Sequence, residues 1–336
     1  MIEAQGLSKT FFVHEKEPGL KGSLRSLFRR KRLVREAVKG VSFTIGEGEI
    51  VGMVGANGAG KTTVVKMLAG IIHPTTGRAR VLGYDPWQRD DRMRRQIALV
   101  MGQKAQLWWD LPAGDSFLLL REIYQIPHEQ FATSLAYLAE VLEAGELMKV
   151  QLRRLSLGER MKMELIAALL HSPRVVFLDE PTIGLDLSAQ RAIRDFLLRY
   201  RRDHRPAMII TSHYMEDIER LCERILILRE GELVYDGPLA AIRRHYGEKK
   251  VLTARLDPEL SAETLAERVA AVDLDRLGRV VSRDGDALRL EVPRERVPEV
   301  AGHLLAALPV ADLAIEEEDI AVIIEAILKG RGQVVP

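Results

Sequence analysis

The sequence predicts an α/β domain interrupted by a helical insertion and followed by a smaller α+β domain. Three observations predict it. From Ile2 to about Gly237, short β-rich runs alternate with helical stretches, as layered α/β domains require. Between about Leu107 and Leu155 the strand signals vanish. After Gly237 the composition changes, and a second pattern begins near Val251. At 336 residues the chain is long enough for two domains, the first with a sizeable core.

In the first domain, expected at 1–237, the clearest strands are EIVGMVG (49–55), RVVFLDE (174–180), AMIITSH (207–213) and RILILREGELVYDG (224–237). The last should fold as a hairpin about Glu230-Gly231. LPAGDSFLLLREIYQIP and EQFATSLAYLAEVLEAGEL read as the helices of an insertion covering about 104–157. PLAAIRRHYGEKK reads as a helix and linker, with 238–250 joining the domains. In the second domain, 251–336, the order is strand, helix, hairpin, helix, strand, which fits a ferredoxin-like α+β unit closed by the helix DIAVIIEAIL. Leu288, Leu290 and Val292 alternate with Arg289 and Glu291, so one face of that strand is wet. Asp284-Gly285 supplies its hairpin turn.

Composition narrows the function. The net charge of +1 gives no whole-chain field toward nucleic acid. A single cysteine, Cys222, excludes a disulfide framework and any multi-cysteine zinc module, and it suits a reducing cytoplasm. MIEAQGLSKTFF lacks the apolar core of a secretory signal. No run of eighteen apolar residues is free of charge, so the chain is not expected to cross a membrane.

GANGAGKT (55–62) carries the first chemistry. Gly55 and Gly60 end a glycine-rich loop that also contains Asn57, Gly58 and Ala59, and Lys61, Thr62 and Thr63 open a helix. A strand before it and a helix after it are the context that a P-loop demands. Its backbone N–H groups converge on phosphates at the positive end of the helix. Lys61 would reach the β- and γ-phosphates, and Thr62 would ligand Mg²⁺. VVFLDE (175–180) then delivers Asp179 at a strand's carboxyl end as a metal-directed acid. Glu180 is next along and, in an extended chain, points the other way, toward the attacking water. His213 closes a third strand at the edge where ligands gather in such sheets, so it is assigned to the γ-phosphate.

LSLGE (155–159) stands just before that acidic strand, and with it the ordered motifs resemble the ATP-binding cassette (ABC) family over residues 1 to about 237. The resemblance implies a P-loop NTPase ABC cassette binding Mg-ATP. It further implies that Phe11 stacks on adenine, that Gln103 lies near metal and water, and that Asp186 in PTIGLD is the D-loop acid. Glu180 becomes the general base and His213 the switch histidine. By its residues alone, Ser156-Leu157-Gly158-Glu159 is a capping box, and a capped helix start beside a glycine is also an anion site. In the family the signature of one subunit completes the site of another, so Ser156, Gly158, Glu159 and Asp186 are expected to serve a neighbour's ATP. Leu157 and Glu159 depart from the usual glycine and glutamine.

The energy must go somewhere. GQKAQLWWDLP places Trp108 and Trp109 at the start of the helical insertion, either packed inside or lining the groove where a permease docks. The insertion 16–36 carries seven basic residues and no acid between Lys21 and Arg35, with Leu20, Leu24, Leu27 and Phe28 as one helical stripe. It reads as a solvated loop or as a basic helix against an anionic membrane surface. Together these stretches look like cassettes paired with ABC type-2 permeases for drugs or polysaccharides. The expected protein is thus an ATPase subunit, dimeric through a second cassette, peripheral at the cytoplasmic face and driving an exporter. The alternative is a soluble ABC ATPase of translation or DNA repair. His303 reads as core or surface, and the second domain carries no catalytic cluster.

Overall fold

The computed structural model describes residues 1–14, 32–102, 104–246, 249–317 and 319–330. They form two compact units, Met1–Gly237 and a second beginning at Pro238.

The first unit holds two sheets. Strands β1 (Ile2–His14), β2 (Arg32–Ile45) and β4 (Thr76–Val81) form an antiparallel sheet in the order β2-β1-β4. Strand β3 (Ile50–Val54) is the centre of a six-stranded sheet. Its partners are β5 (Ile97–Met101), β6 (Val175–Asp179), β7 (Ala207–Thr211), β8 (Arg224–Arg229) and β9 (Glu232–Pro238), in the order β5-β6-β7-β3-β8-β9. Every residue of β3 and β7 is buried, which is why both read as unbroken apolar runs rather than alternating ones. The β8–β9 turn uses Glu230 and Gly231, both at positive φ (51° and 87°), as a two-residue hairpin of this kind needs.

Helix α1 (Lys61–Leu68) is clamped between β2 and β4 on one side and β6 and β7 on the other. Its Val64, Val65 and Leu68 join Ile2, Leu7, Ile45, Phe177, Ile209 and Leu226 in one core. The helical insertion consists of α2 (Ala113–Tyr124) and α3 (His128–Val141), and α4 (Leu157–Leu169) follows it. Helices α5 (Leu187–His204) and α6 (Met215–Leu221) complete the unit. Arg201, Arg202 and His204 stand in the last turn of α5, complementing its dipole.

The second unit contains α7 (Leu239–Tyr246), β10 (Lys249–Leu256), α8 (Ala262–Ala270), β11 (Arg279–Asp284), β12 (Ala287–Pro293), α9 (Val297–Ala307), β13 (Val310–Glu317) and α10 (Ile320–Leu328). The sheet order is β11-β12-β10-β13 with every pairing antiparallel, the topology of a ferredoxin-like unit. Leu252, Ala254, Leu288, Leu290 and Val292 meet Leu265 and Val269 of α8 and Val300 and Leu304 of α9.

Four expectations are corrected. Strands β3, β6 and β7 are shorter at their carboxyl ends than read, so Glu180 and His213 lie beyond β6 and β7 rather than in them. Within 238–250, read as a helix and linker, the helix is present as α7, burying Leu239 and Ile242, but Lys249 and Lys250 belong to β10 rather than to a linker. Arg32–Arg35 of the basic insertion are strand residues that extend β2 against β1; the basic helix expected around Leu20–Phe28 lies outside the described residues. The second hairpin turns at Gly285-Asp286, one residue later than read, with Gly285 at φ 58°.

Candidate functional site

The loop between β3 and α1 shapes a cavity of about 460 Å³ lined by Phe11, Phe12, Arg35, Ala37, Asn57, Gly58, Ala59, Gly60, Lys61, Thr62, Thr63 and Glu180. Two of its glycines are required by the backbone. Gly60 has φ 108°, and a Cβ there would sit 2.4 Å from the Ala37 carbonyl oxygen. Gly55 lies so close to β8 that a Cβ would come 2.4 Å from the Leu228 oxygen. With no side chains at these points, main-chain N–H groups of the loop can face the cavity at the start of α1.

Lys61 folds back over the loop, donating from Nζ to the Gly55 oxygen (2.6 Å) and the Ala56 oxygen (3.2 Å). Burial pushes its pKa down, and the nearby charges of Glu180 and Asp179 work against that. A polyanion in the cavity would hold the ammonium in its charged form. Thr62 Oγ1 donates to Asp179 at 2.9 Å, so a hydroxyl and a carboxylate from two elements already meet. That oxygen pair fits a hard cation such as Mg²⁺. Among the described residues no group of three or more His, Cys, Asp or Glu side chains could hold a metal, so such a cation would complete its shell with phosphate oxygens and water.

Two residues missed in the sequence belong here. Thr211, the last residue of β7, donates to Asp179 Oδ1 at 2.6 Å and accepts from the Glu180 N–H at 3.1 Å. It is the register partner of Asp179 in the parallel sheet, a pairing that no local pattern discloses. Arg35 lines the cavity beside Gly58, within 3.1 Å of where a Gly58 Cβ would stand.

Glu180 is not extended. It sits at φ 57°, in the left-handed region that costs a non-glycine residue energy. Its amide is anchored on Thr211 by the hydroxyl and by the main-chain oxygen at 3.0 Å. The carboxylate therefore turns into the cavity by backbone strain rather than by strand alternation. His213 Nε2 stands 2.5 Å from Glu180 Oε1. The sequence paired these residues by role only, and the structure pairs them by contact. Phe11 is partly covered, with Lys9 Nζ 5.3 Å from its ring centroid, whereas Phe12 beside it is 65 % exposed. Gln103 lies outside the described residues.

Ser156, Gly158, Glu159 and Asp186 are not among the residues lining this cavity. They gather at another corner, where α4 and α5 begin side by side. The capping box is formed: the Glu159 N–H donates to Ser156 Oγ, and the Ser156 N–H donates to Glu159 Oε2 at 2.8 Å. Those bonds from Ser156 hold the Glu159 carboxyl below its usual range. Asp186 caps α5 by accepting from the Ala189 N–H at 2.8 Å. A Cβ on Gly158 would lie 2.9 Å from Ala189 Cβ, so the glycine is what lets the two helix starts approach. Leu157 and Leu187, the first residues of the two helices, are 40 % and 77 % exposed.

Trp108 and Trp109 are exposed, which excludes packing in the interior; Arg160 lies over the Trp109 ring at 4.8 Å. His303 is exposed on α9, its Nδ1 3.1 Å from the Glu299 oxygen.

Residues 38–183 match the ABC transporter family model, and 262–316 match the C-terminal domain of EvrA-like ABC transporters. The chain is 30 % identical over 215 residues to the ABC transporter ATP-binding protein NatA of Bacillus subtilis, covering 64 % of this chain and 87 % of that protein. It is 30 % identical over 264 residues to the daunorubicin/doxorubicin resistance ATP-binding protein DrrA of Streptomyces peucetius, covering 77 % and 78 %. The fold matches a dimeric structure of the ATP-binding cassette MJ0796 bound to ADP and Pi, with a TM-score of 0.58 at 22 % identity over 71 % of this chain and 98 % of that one. The chain belongs to the ABC transporter family and is an ATP-binding cassette of it.

Proposed function

We propose that this cassette hydrolyses Mg-ATP between two cassettes and drives a separate membrane permease of the type-2 exporter kind. The observation that carries the reading is the division of the motifs. Lys61, Thr62 and Glu180 line one cavity, with Asp179 bonded to Thr62 beside it, while Ser156, Gly158 and Asp186 sit at the starts of α4 and α5, away from it. A second cassette facing the cavity would bring those helix starts to the γ-phosphate.

In this reading Asn57, Gly58, Ala59, Gly60 and Thr63 cradle the phosphates and Lys61 neutralises them. Phe11, together with Phe12, offers the base its platform. Mg²⁺ would be held by Thr62, Asp179 and Gln103, and it would supply charge neutralisation at the β- and γ-phosphates. Glu180, oriented by His213, takes a proton from water as the water oxygen bonds to the γ-phosphorus and the bond to the bridging oxygen of ADP breaks.

Among the described residues no helix is long and apolar enough to cross a membrane. The permease is assigned to a second cavity of about 620 Å³, lined by Ile71, Leu99, Met101, Leu107 and Leu120 with Arg89 and Arg94. Exposed Trp108 and Trp109 lie on the helical insertion, which also contributes Leu107 and Leu120 to this cavity, and suit a docked helix. The part of DrrA in daunorubicin/doxorubicin resistance supports export over import.

Glu180→Gln tests the chemistry. ATP binding should persist, turnover should fall on the order of a hundredfold or more, and ATP should trap a two-chain species on a sizing column. Wild-type turnover in the variant overturns the role of Glu180. Recovery of a polytopic membrane protein with the cassette from mild detergent supports transport; recovery with ribosomes or DNA moves the reading to a soluble ATPase.

A further inference from the structure

A buried carboxylate bonded to close chain neighbours of Glu180 and His213 is not used by the reading above. Asp217, on α6, is 0 % exposed. It accepts from Thr182 Oγ1, from Ser212 Oγ (2.7 Å) and from Arg194 Nη1 of α5 (2.9 Å). Thr182, Ser212 and Arg194 are themselves buried. Arg194 is also paired through Nη2 with Glu216 at 3.0 Å, while its Nε is buried without a partner.

The places of these residues in the chain give the cluster its meaning. Thr182 is two residues after Glu180, and Ser212 immediately precedes His213. Ser212 Oγ also accepts from the Tyr214 N–H at 3.0 Å, so the loop carrying His213 is gripped on both sides of the histidine. One carboxylate thus holds the backbone that follows the acid and the backbone that presents the histidine. A buried carboxyl group held by an arginine and two hydroxyls has little freedom to rearrange, since any lost partner leaves an uncompensated group away from water.

We infer that Asp217, locked by Arg194, is the positioning residue that sets the Glu180–His213 geometry through Thr182 and Ser212. Its role is upstream of the reacting atoms, and it rests on the assignment of Glu180 and His213 to hydrolysis. None of Thr182, Arg194, Ser212 and Asp217 lines the cavity of the glycine loop and Lys61, so loss of the cluster should act on turnover and not on nucleotide affinity.

The test uses the full chain and changes one link at a time, leaving the Arg194–Asp217 pair in place. Thr182→Val and Ser212→Ala each remove a hydroxyl; Thr182→Ser and Ser212→Thr keep it. The hydroxyl-deleting variants should lose kcat on the order of ten- to a hundredfold, with KM for ATP within about twofold of wild type, as expected of a step felt only in the transition state. The hydroxyl-keeping variants should retain most of kcat. Thermal unfolding of each variant, read alongside, separates lost positioning from lost fold.

Three outcomes decide it. Unchanged kcat in Thr182→Val and Ser212→Ala, with Glu180→Gln inactive, overturns the positioning role alone. Equal losses in the hydroxyl-keeping and hydroxyl-deleting variants reduce the cluster to packing and overturn it as well. Full activity in Glu180→Gln removes the reading on which the inference rests, and the inference falls with it.

Discussion

His171 should make the first unit acid-sensitive. The ring follows α4, is buried, and stacks on Tyr124 of the helical insertion with centroids 4.0 Å apart and planes 5° from parallel. Nε2 lies 3.0 Å from the Ile97 oxygen, which fixes it as the donor, and buried Nδ1 has no partner. Protonation would place a charge and an unpaired N–H in that apolar contact, so burial pushes the imidazole down from 6.5 to about 4. The unfolded chain then binds the proton that the folded chain refuses. Stability from this group is complete above the unfolded value, falls as pH drops through it, and levels off near the folded one. At ~1.4 kcal/mol per tenfold change the limiting loss is about 3 kcal/mol, and at pH 5 it is about 2 kcal/mol. All three tryptophans, Trp87, Trp108 and Trp109, lie in the first unit, so urea unfolding followed by tryptophan fluorescence reports that unit. Wild type and His171→Asn, which can still donate to Ile97, should be compared at pH 7.5 and 5.0. The wild type should lose about 2 kcal/mol more than the variant between the two. The same loss in both would refute the argument.

Other outcomes follow from the same geometry. Ser156→Ala removes the cap of α4 and should cost about 1 kcal/mol of stability in urea unfolding, besides lowering ATP turnover. Thr62→Ala should weaken the Mg²⁺ dependence of ATP binding, measured by nucleotide fluorescence with and without the ion, because the hydroxyl 2.9 Å from Asp179 is lost. Gly60→Ala should abolish nucleotide binding, since its Cβ would collide with the Ala37 oxygen at a left-handed backbone position. Leu290→Ala, in the centre of the second core, should destabilise that unit by about 2–5 kcal/mol by circular dichroism.

Much of the architecture was legible because it repeats locally. The apolar runs at 50–54, 175–179 and 207–211 are strands buried on both faces, and the alternation of Leu288, Leu290 and Val292 marks a half-buried one. The capping box at Ser156 and Glu159 needs only three residues of spacing, and it formed as read. The strands of the antiparallel sheet were harder. Ser8, Thr10, Glu36 and Lys39 interrupt their apolar pattern, and β1 pairs with β2 through several register shifts that no periodicity could anticipate. The helix within 238–250 was read, but Lys249 and Lys250 passed for linker because their pairing with β12 and β13 lies far along the chain.

The sequence by itself determined the phosphate loop. Its glycines, Lys61 and Thr62 are contiguous, and their geometry follows from backbone freedom and a helix start. Tertiary structure decided what stands around it. Thr211 meets Asp179 across 32 residues because β6 and β7 are in register. Glu180 turns inward because its backbone is held left-handed by that same Thr211. Asp217 joins Thr182, 35 residues away, to Ser212 only after α5 and α6 have packed. Such contacts depend on sheet order and helix packing, which are properties of the whole core, whereas a P-loop is a property of eight consecutive residues.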